Sequence, residues 1–177
     1  MKVICISGHA QNGKDTVANI LAEKLQKSGG RVLVTHNADL LKYICRTFFG
    51  WNGEKDERGR HLLQYVGTDI VRKQKPDFWV DFIISILKLF GDNWDYVIIP
   101  DTRFPNEIGR FQLNWFDVSH LRVVRPGFRS ALTEEQLRHP SETALDDVTP
   151  DYLLVNDGTM EDLERKIDDY LEENIYG

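Results

Sequence analysis

Cysteine is scarce: the chain has two, Cys5 and Cys45, each set in an apolar segment. Two cysteines build no disulfide framework; they read as buried free thiols, which suits a reducing, cytoplasmic setting. Excess positive charge is also missing. The formal net charge is −6, which argues against a general nucleic-acid or membrane-surface binder. No apolar run is long enough to span a bilayer, no leader segment is expected ahead of the first apolar run, and there is no repeat or low-complexity tract. What remains is a 177-residue chain, most simply one domain with a sizeable core. Such a chain can still bind polyanions if its basic residues converge on one cleft.

One stretch organises the rest. Val3 to Ile6 is an apolar run that reads as a strand buried on both faces. Gly8, Gly13 and Lys14 follow at the spacing G-x-x-x-x-G-K, and then Val17, Ile20, Leu21 and Leu25 fall at helical spacing. A strand, a glycine loop and a helix N-terminus in that order form a phosphate-binding loop. The glycines let successive N–H groups turn inward around an anion. The helix dipole adds partial positive charge there, and Lys14 can reach the β- and γ-phosphates. The candidate contacts run through Gly8, Gln11, Asn12, Gly13, Lys14, Asp15 and Thr16. Asp15 stands where Ser or Thr usually meets Mg²⁺, with Thr16 one place later, so these two are candidates for holding the metal through water.

Four more strands are expected, at Arg31–Thr35, Asp95–Pro100, Leu121–Val124 and Tyr152–Val155. Alternation with helices gives a three-layer α/β/α fold with a five-stranded parallel sheet. Ligands in such sheets bind outside the carboxyl ends of the strands. Past the second strand, residues 37–90 read as an all-helical insertion containing Asp39, Lys42, Arg60 and Arg72. Past the third stands Asp101, a carboxylate placed to order Mg²⁺. Past the fourth, residues 125–147 have little core pattern but carry Arg125, Arg129 and Arg138, the profile of a mobile lid. Past the fifth, Asn156-Asp157-Gly158 turns into the last helix, whose acidic run is a solvated face.

Four motifs in order resemble those of phage-type deoxynucleoside monophosphate kinases. They are Gly13-Lys14-Asp15-Thr16; Arg60 to Asp69 with Arg72 and Trp79; Asp101-Thr102-Arg103-Phe104-Pro105-Asn106-Glu107; and His139-Pro140-Ser141-Glu142. The resemblance implies the sheet order 2-3-1-4-5 and makes residues 37–90 the acceptor-nucleotide region. It implies that Arg60 and Arg72 handle the acceptor phosphate, that Gln64 and Trp79 help form the base pocket, and that Asp39 and Lys42 belong to the same site. Arg103 would bridge donor and acceptor phosphates with Glu107 orienting it, and Asn156 would lie near the donor adenine.

The activity this implies is transfer of the γ-phosphoryl group of ATP-Mg²⁺ to a (deoxy)nucleoside 5′-monophosphate. The catalytic set would be Lys14, Asp101 and Arg103 with Arg125, Arg129 and Arg138 from the lid, and Asp15, Thr16 and Asp101 would serve the metal. The partners are small nucleotides, not a nucleic-acid polymer or a membrane, with a homodimer possible. Two alternatives stay open: a phosphomevalonate-type kinase, whose loop is similar, and a non-catalytic nucleotide-binding regulator.

Overall fold

The computed structural model describes all of residues 1–177. Five parallel strands form one sheet: β1 (Lys2–Ser7), β2 (Val32–Val34), β3 (Tyr96–Ile99), β4 (Asp117–Val124) and β5 (Tyr152–Val155), in the order β2-β3-β1-β4-β5. The central β1 shows why this run had to be apolar throughout. Successive side chains point to opposite faces, and both faces are covered. Ile4 and Ile6 pack under α1 (Lys14–Lys27) and α8 (Met160–Leu171), whereas Val3 and Cys5 pack against α4 (Phe78–Phe90) and α5 (Pro105–Leu113). A third cluster, Leu41, Cys45, Trp51, Val66 and Trp79, is the core of the helical insertion. Both thiols are free and buried, and burial pushes the Cys5 thiol up to about 12. No helix is long and apolar enough to cross a membrane.

Two elements depart from what the pattern suggests. β2 is shorter than Arg31–Thr35 and only half-buried, because it lies at the sheet edge beside β3. β4 is twice the length of Leu121–Val124, beginning at Asp117. Its first half is polar, yet Ser119 and His120 are buried because each has a partner: Ser119 Oγ lies 2.9 Å from Tyr170 Oη, and His120 Nε2 lies 2.7 Å from Ser7 Oγ.

The insertion comprises α2 (Asp39–Phe49), α3 (Glu57–Gln64), a π-helical segment (Tyr65–Arg72) and α4. A single regular helix over Arg58–Lys73 is what the spacing suggests; instead the chain widens after Gln64. At that widening the Gly67 carbonyl accepts a hydrogen bond from Trp79 Nε1 at 3.0 Å, and a β-carbon on Gly67 would come within 2.6 Å of Leu41. Widened helical turns are frequent at functional sites, and this one carries Thr68 and Arg72 to the edge of a cavity. Residues 125–147 contain two short helices, α6 (Glu134–Arg138) and α7 (Pro140–Thr143), laid back across the loop that follows β1.

Candidate active site

The loop after β1 is built by backbone conformations few residues tolerate. Gly8 has φ 137°, and a β-carbon there would meet the Val123 carbonyl oxygen at 2.2 Å. Gly13 has φ 97° and faces the Asn156 amide, which a β-carbon would approach to 2.6 Å. Both positions therefore demand glycine. Gln11 also takes a positive φ, 67°, and its Oε1 accepts the Ala131 N–H at 3.0 Å, joining the loop to residues 125–147. Asn12 Nδ2 donates to the Val123 carbonyl at 3.3 Å. Asn156 Nδ2 donates to the Asn12 carbonyl at 3.0 Å. The structure thus gives Asn156 the task of clasping the loop to the end of β5.

Lys14 is the first residue of α1 and is 8% exposed. Its amine donates to the Gly8 and His9 carbonyls at 2.8 and 3.0 Å. Burial, then the nearby Arg103 guanidinium, pulls its pKa down to about 8. An anion in front of the loop would reverse that pull.

In front of Lys14 lies a cavity of about 470 Å³. The loop contributes Gln11, Lys14 and Asp15; the insertion contributes Leu41, Lys42, Arg60, Leu63, Gln64, Thr68, Arg72 and Trp79; the end of β3 contributes Asp101 and Arg103; α7 contributes Ser141 and Glu142. Trp79 is only 3% exposed and forms wall, with Phe78 edge-on to it. Asp39 sits at the start of α2, where its Oδ2 accepts the His36 N–H at 2.9 Å and its Oδ1 takes Lys42 Nζ at 3.1 Å. Asp39 therefore secures the β2–α2 turn and holds Lys42.

Arg72 is held by four neighbours, one of them Asn106, whose Oδ1 accepts from Nη1 at 3.3 Å. Its Nη2 donates to Glu107 Oε1 at 2.6 Å, its Nη1 to the Pro76 carbonyl at 3.1 Å, and its guanidinium lies 3.9 Å over the Phe104 ring. Glu107 is 2% exposed. Burial raises its pKa, opposed by Arg72 and by the Arg103 and Phe104 backbone N–H groups that its Oε2 accepts at 2.7 and 3.2 Å. This corrects the expected role of Glu107: it orients the Arg72 guanidinium and only the backbone of Arg103. The Arg103 guanidinium instead pairs with α7, Nη1 donating to Glu142 Oε1 at 2.7 Å and to the Ser141 carbonyl at 3.2 Å. The other Glu142 oxygen accepts the Ala10 N–H of the loop at 2.9 Å. Sequence reasoning passed over Glu142 although it closes the His139–Glu142 motif. His139 itself caps α7, its Nδ1 accepting the Ser141 N–H at 3.2 Å.

Asp101 has a task that sequence position alone does not reveal. Its two oxygens accept the N–H groups of Asn37 and Ala38 at 2.8 and 3.0 Å, tying the ends of β2 and β3 together. One lone pair on each oxygen remains for a hydrated cation. Asp15 is exposed and lines the same cavity, its Oδ1 3.6 Å from His36 Nε2, and Thr16 is half-buried in the first turn of α1. No group of three or more His, Cys, Asp or Glu side chains gathers here. Isolated carboxylates fit Mg²⁺, which keeps waters and takes its remaining ligands from substrate phosphates.

The arginines of residues 125–147 part ways. Arg125 and Arg129 line a second cleft on the other side of the loop with His9, Asn12, Phe128 and Leu137, where Arg125 lies 4.6 Å over the Phe128 ring. Arg138 turns to solvent and pairs with Glu134 at 3.1 Å, both side chains more than 80% exposed.

A glycine loop under a helix N-terminus, a parallel sheet ordered 2-3-1-4-5 and a helical insertion across the cavity define the class as a P-loop kinase fold. Solved structures agree on the fold. The Mycobacterium tuberculosis APS kinase in complex with AMPPNP and APS superposes with a TM-score of 0.56 at 14% identity, over 97% of each chain. Shikimate kinase from Aquifex aeolicus gives 0.54 at 15% identity, over 100% of this chain and 99% of that one. The model of the deoxynucleotide monophosphate kinase family matches residues 44–167, and the chain belongs to that family. The deoxynucleotide monophosphate kinase of Enterobacteria phage T4 is 36% identical over 115 residues, which is 64% of this chain and 45% of that protein. The same-named protein of Escherichia phage RB69 is 32% identical over 63% of this chain and 44% of that protein. The chain thus aligns with less than half the length of either phage protein. An uncharacterized protein, ORF77, of Ictalurid herpesvirus 1 is 30% identical over 95% of this chain and 69% of its own length.

Proposed function

We propose that this chain transfers the γ-phosphoryl group of ATP to a (deoxy)nucleoside 5′-monophosphate, giving ADP and the diphosphate. The observation that carries the reading is that one cavity holds two separate sites suited to phosphate: the loop with Lys14, and the Arg60–Arg72 side of the insertion. A regulator that only holds a nucleotide needs the first and not the second. The wall formed by Leu41, Leu63 and Trp79 suits a planar base better than a small flexible acid.

An acceptor phosphate is already anionic, so transfer needs no strong general base; it needs alignment and charge neutralisation. Lys14 serves the donor phosphates. Arg72, pre-aimed by Glu107 and Phe104, offers its planar fork to the acceptor. Arg103, between the two, serves the phosphoryl group in transit once it leaves Glu142. Mg²⁺, held through water by Asp15 and Asp101 with Thr16 nearby, would supply further neutralisation. Arg125 and Arg129 line the separate cleft on the other side of the loop and are not part of this cavity. ADP release measured over all ribo- and deoxynucleoside monophosphates tests the reading. Release above the ATP-only rate with at least one of them is expected; no acceleration by any would refute it.

A further inference from the structure

The cavity contains one polar side chain that nothing in the chain satisfies. Asn37, the third residue past β2, is 6% exposed, and neither its Nδ2 nor its Oδ1 has a hydrogen-bond partner. Its surroundings do not explain it as a turn residue. The turn is held by main-chain donors, the N–H groups of Asn37 and Ala38, which Asp101 accepts at 2.8 and 3.0 Å. The side chain takes no part in that clamp. A buried amide without partners destabilises a fold, and an apolar residue of similar size would avoid that cost. Asn37 nevertheless forms part of the cavity wall, alongside Lys42, Arg60, Arg72 and Arg103.

We propose that Asn37 is a substrate-binding residue: its amide turns on χ1 into the cavity and Nδ2 donates a hydrogen bond to the phosphate of the acceptor nucleotide. Three features favour that partner. The Asp101 clamp fixes the Asn37 backbone, so only the two side-chain torsions are left to move. The cationic residues named above mark that side of the cavity as the anion's. An amide, unlike a further cation, can stand beside Arg72 and Arg103 without repelling them, and it adds a directional donor. The proposal rests on the two-site reading of the cavity but not on turnover.

The test is binding of the four deoxynucleoside 5′-monophosphates to the ligand-free chain by titration calorimetry, together with its melting temperature. The variants are Asn37→Ala and Asn37→Asp, the latter nearly identical in shape. A hydrogen bond to a charged group corresponds to roughly ten- to hundredfold in affinity. Asn37→Ala should weaken monophosphate binding by about that factor, leave ATP binding unchanged and melt no lower than wild type, because it removes an unsatisfied amide. Asn37→Asp should weaken monophosphate binding further, since it sets a carboxylate against the phosphate. Unchanged monophosphate affinity in both variants would overturn the proposal, as would a wild-type chain that binds no monophosphate. If wild type binds a monophosphate through Asn37 but transfers nothing to it, the assignment of Asn37 stands and the kinase reading falls.

Discussion

Glu142 and Arg103 are joined by an ion pair of 2.7 Å directly in front of the phosphate-binding loop. The second Glu142 oxygen accepts the Ala10 N–H at 2.9 Å. One carboxylate of α7 therefore sits on two groups suited to phosphate oxygens. On the proposed reading a triphosphate would compete with Glu142 for the same donors, so Glu142→Ala should tighten ATP binding by about tenfold, the equivalent of one lost competing contact. The variant should also hydrolyse ATP faster without acceptor, because the lid has lost its tie and water can enter. Equilibrium binding of ATP measures the first effect; weaker binding would show that Glu142 supports the donor site instead of occupying it.

On the proposed reading, Lys14→Ala should lower kcat by roughly 10²-fold or more while the fold persists, because the amine would neutralise phosphate and belongs to none of the apolar clusters. The same residue sets a pH dependence. With its pKa lowered to about 8, the free chain holds Lys14 charged below that pH and loses the charge above it. kcat/KM for ATP should therefore fall as pH rises through about 8. kcat should hold to higher pH, since bound phosphates favour the charged amine. A flat kcat/KM profile from pH 7 to 9.5 would contradict this.

Asp101→Asn should act on the acceptor side as well as on the metal. An amide keeps one oxygen but turns an NH₂ toward a backbone N–H, leaving a donor of the β2–α2 turn unpaired. That costs about 1–3 kcal/mol. Denaturant unfolding should show the loss and KM for the monophosphate should rise. A change in Mg²⁺ response alone, with unaltered stability, would mean the clamp is dispensable.

Arg72→Lys should raise KM for the monophosphate and leave KM for ATP alone, because an ammonium cannot reproduce a fork pinned by Glu107 and stacked on Phe104. Truncation to Ala is the poorer experiment: it strands a buried carboxylate, at about 3–5 kcal/mol, and mixes folding with binding. Arg138→Ala is the matched control. Its ion pair with Glu134 is solvent-exposed, so kinetics should match wild type and stability should shift by no more than about 0.5 kcal/mol.

The sheet and the loop were legible because their signals are local. The apolar run of β1, the spacing of Gly8, Gly13 and Lys14 and the helical periodicity after them all lie within one stretch of chain. What stayed hidden depends on partners distant in sequence. The first half of β4 looks like loop until Tyr170 and Ser7 supply hydrogen bonds to Ser119 and His120. Glu107 reads as the partner of its neighbour Arg103, yet its side chain binds Arg72, thirty-five positions earlier. Asn37 and Glu142 have no signal beyond position, one just past a strand end and one at the end of a short motif. Of Arg125, Arg129 and Arg138, the last is the one that a helix over Thr133 to Leu137 would turn away in sequence, and the capped turn of α6 does pair it with Glu134 at the surface, while Arg125 and Arg129 line the second cleft.

The central claim is that one cavity brings a donor triphosphate and an acceptor monophosphate together for direct transfer. The most direct measurement follows label from the γ-position of ATP in the presence of Mg²⁺ and each deoxynucleoside 5′-monophosphate in turn. The account predicts that label appears in the deoxynucleoside diphosphate, and that Lys14→Ala and Arg72→Lys both reduce it. Label recovered only as inorganic phosphate, at a rate indifferent to every monophosphate, would contradict it.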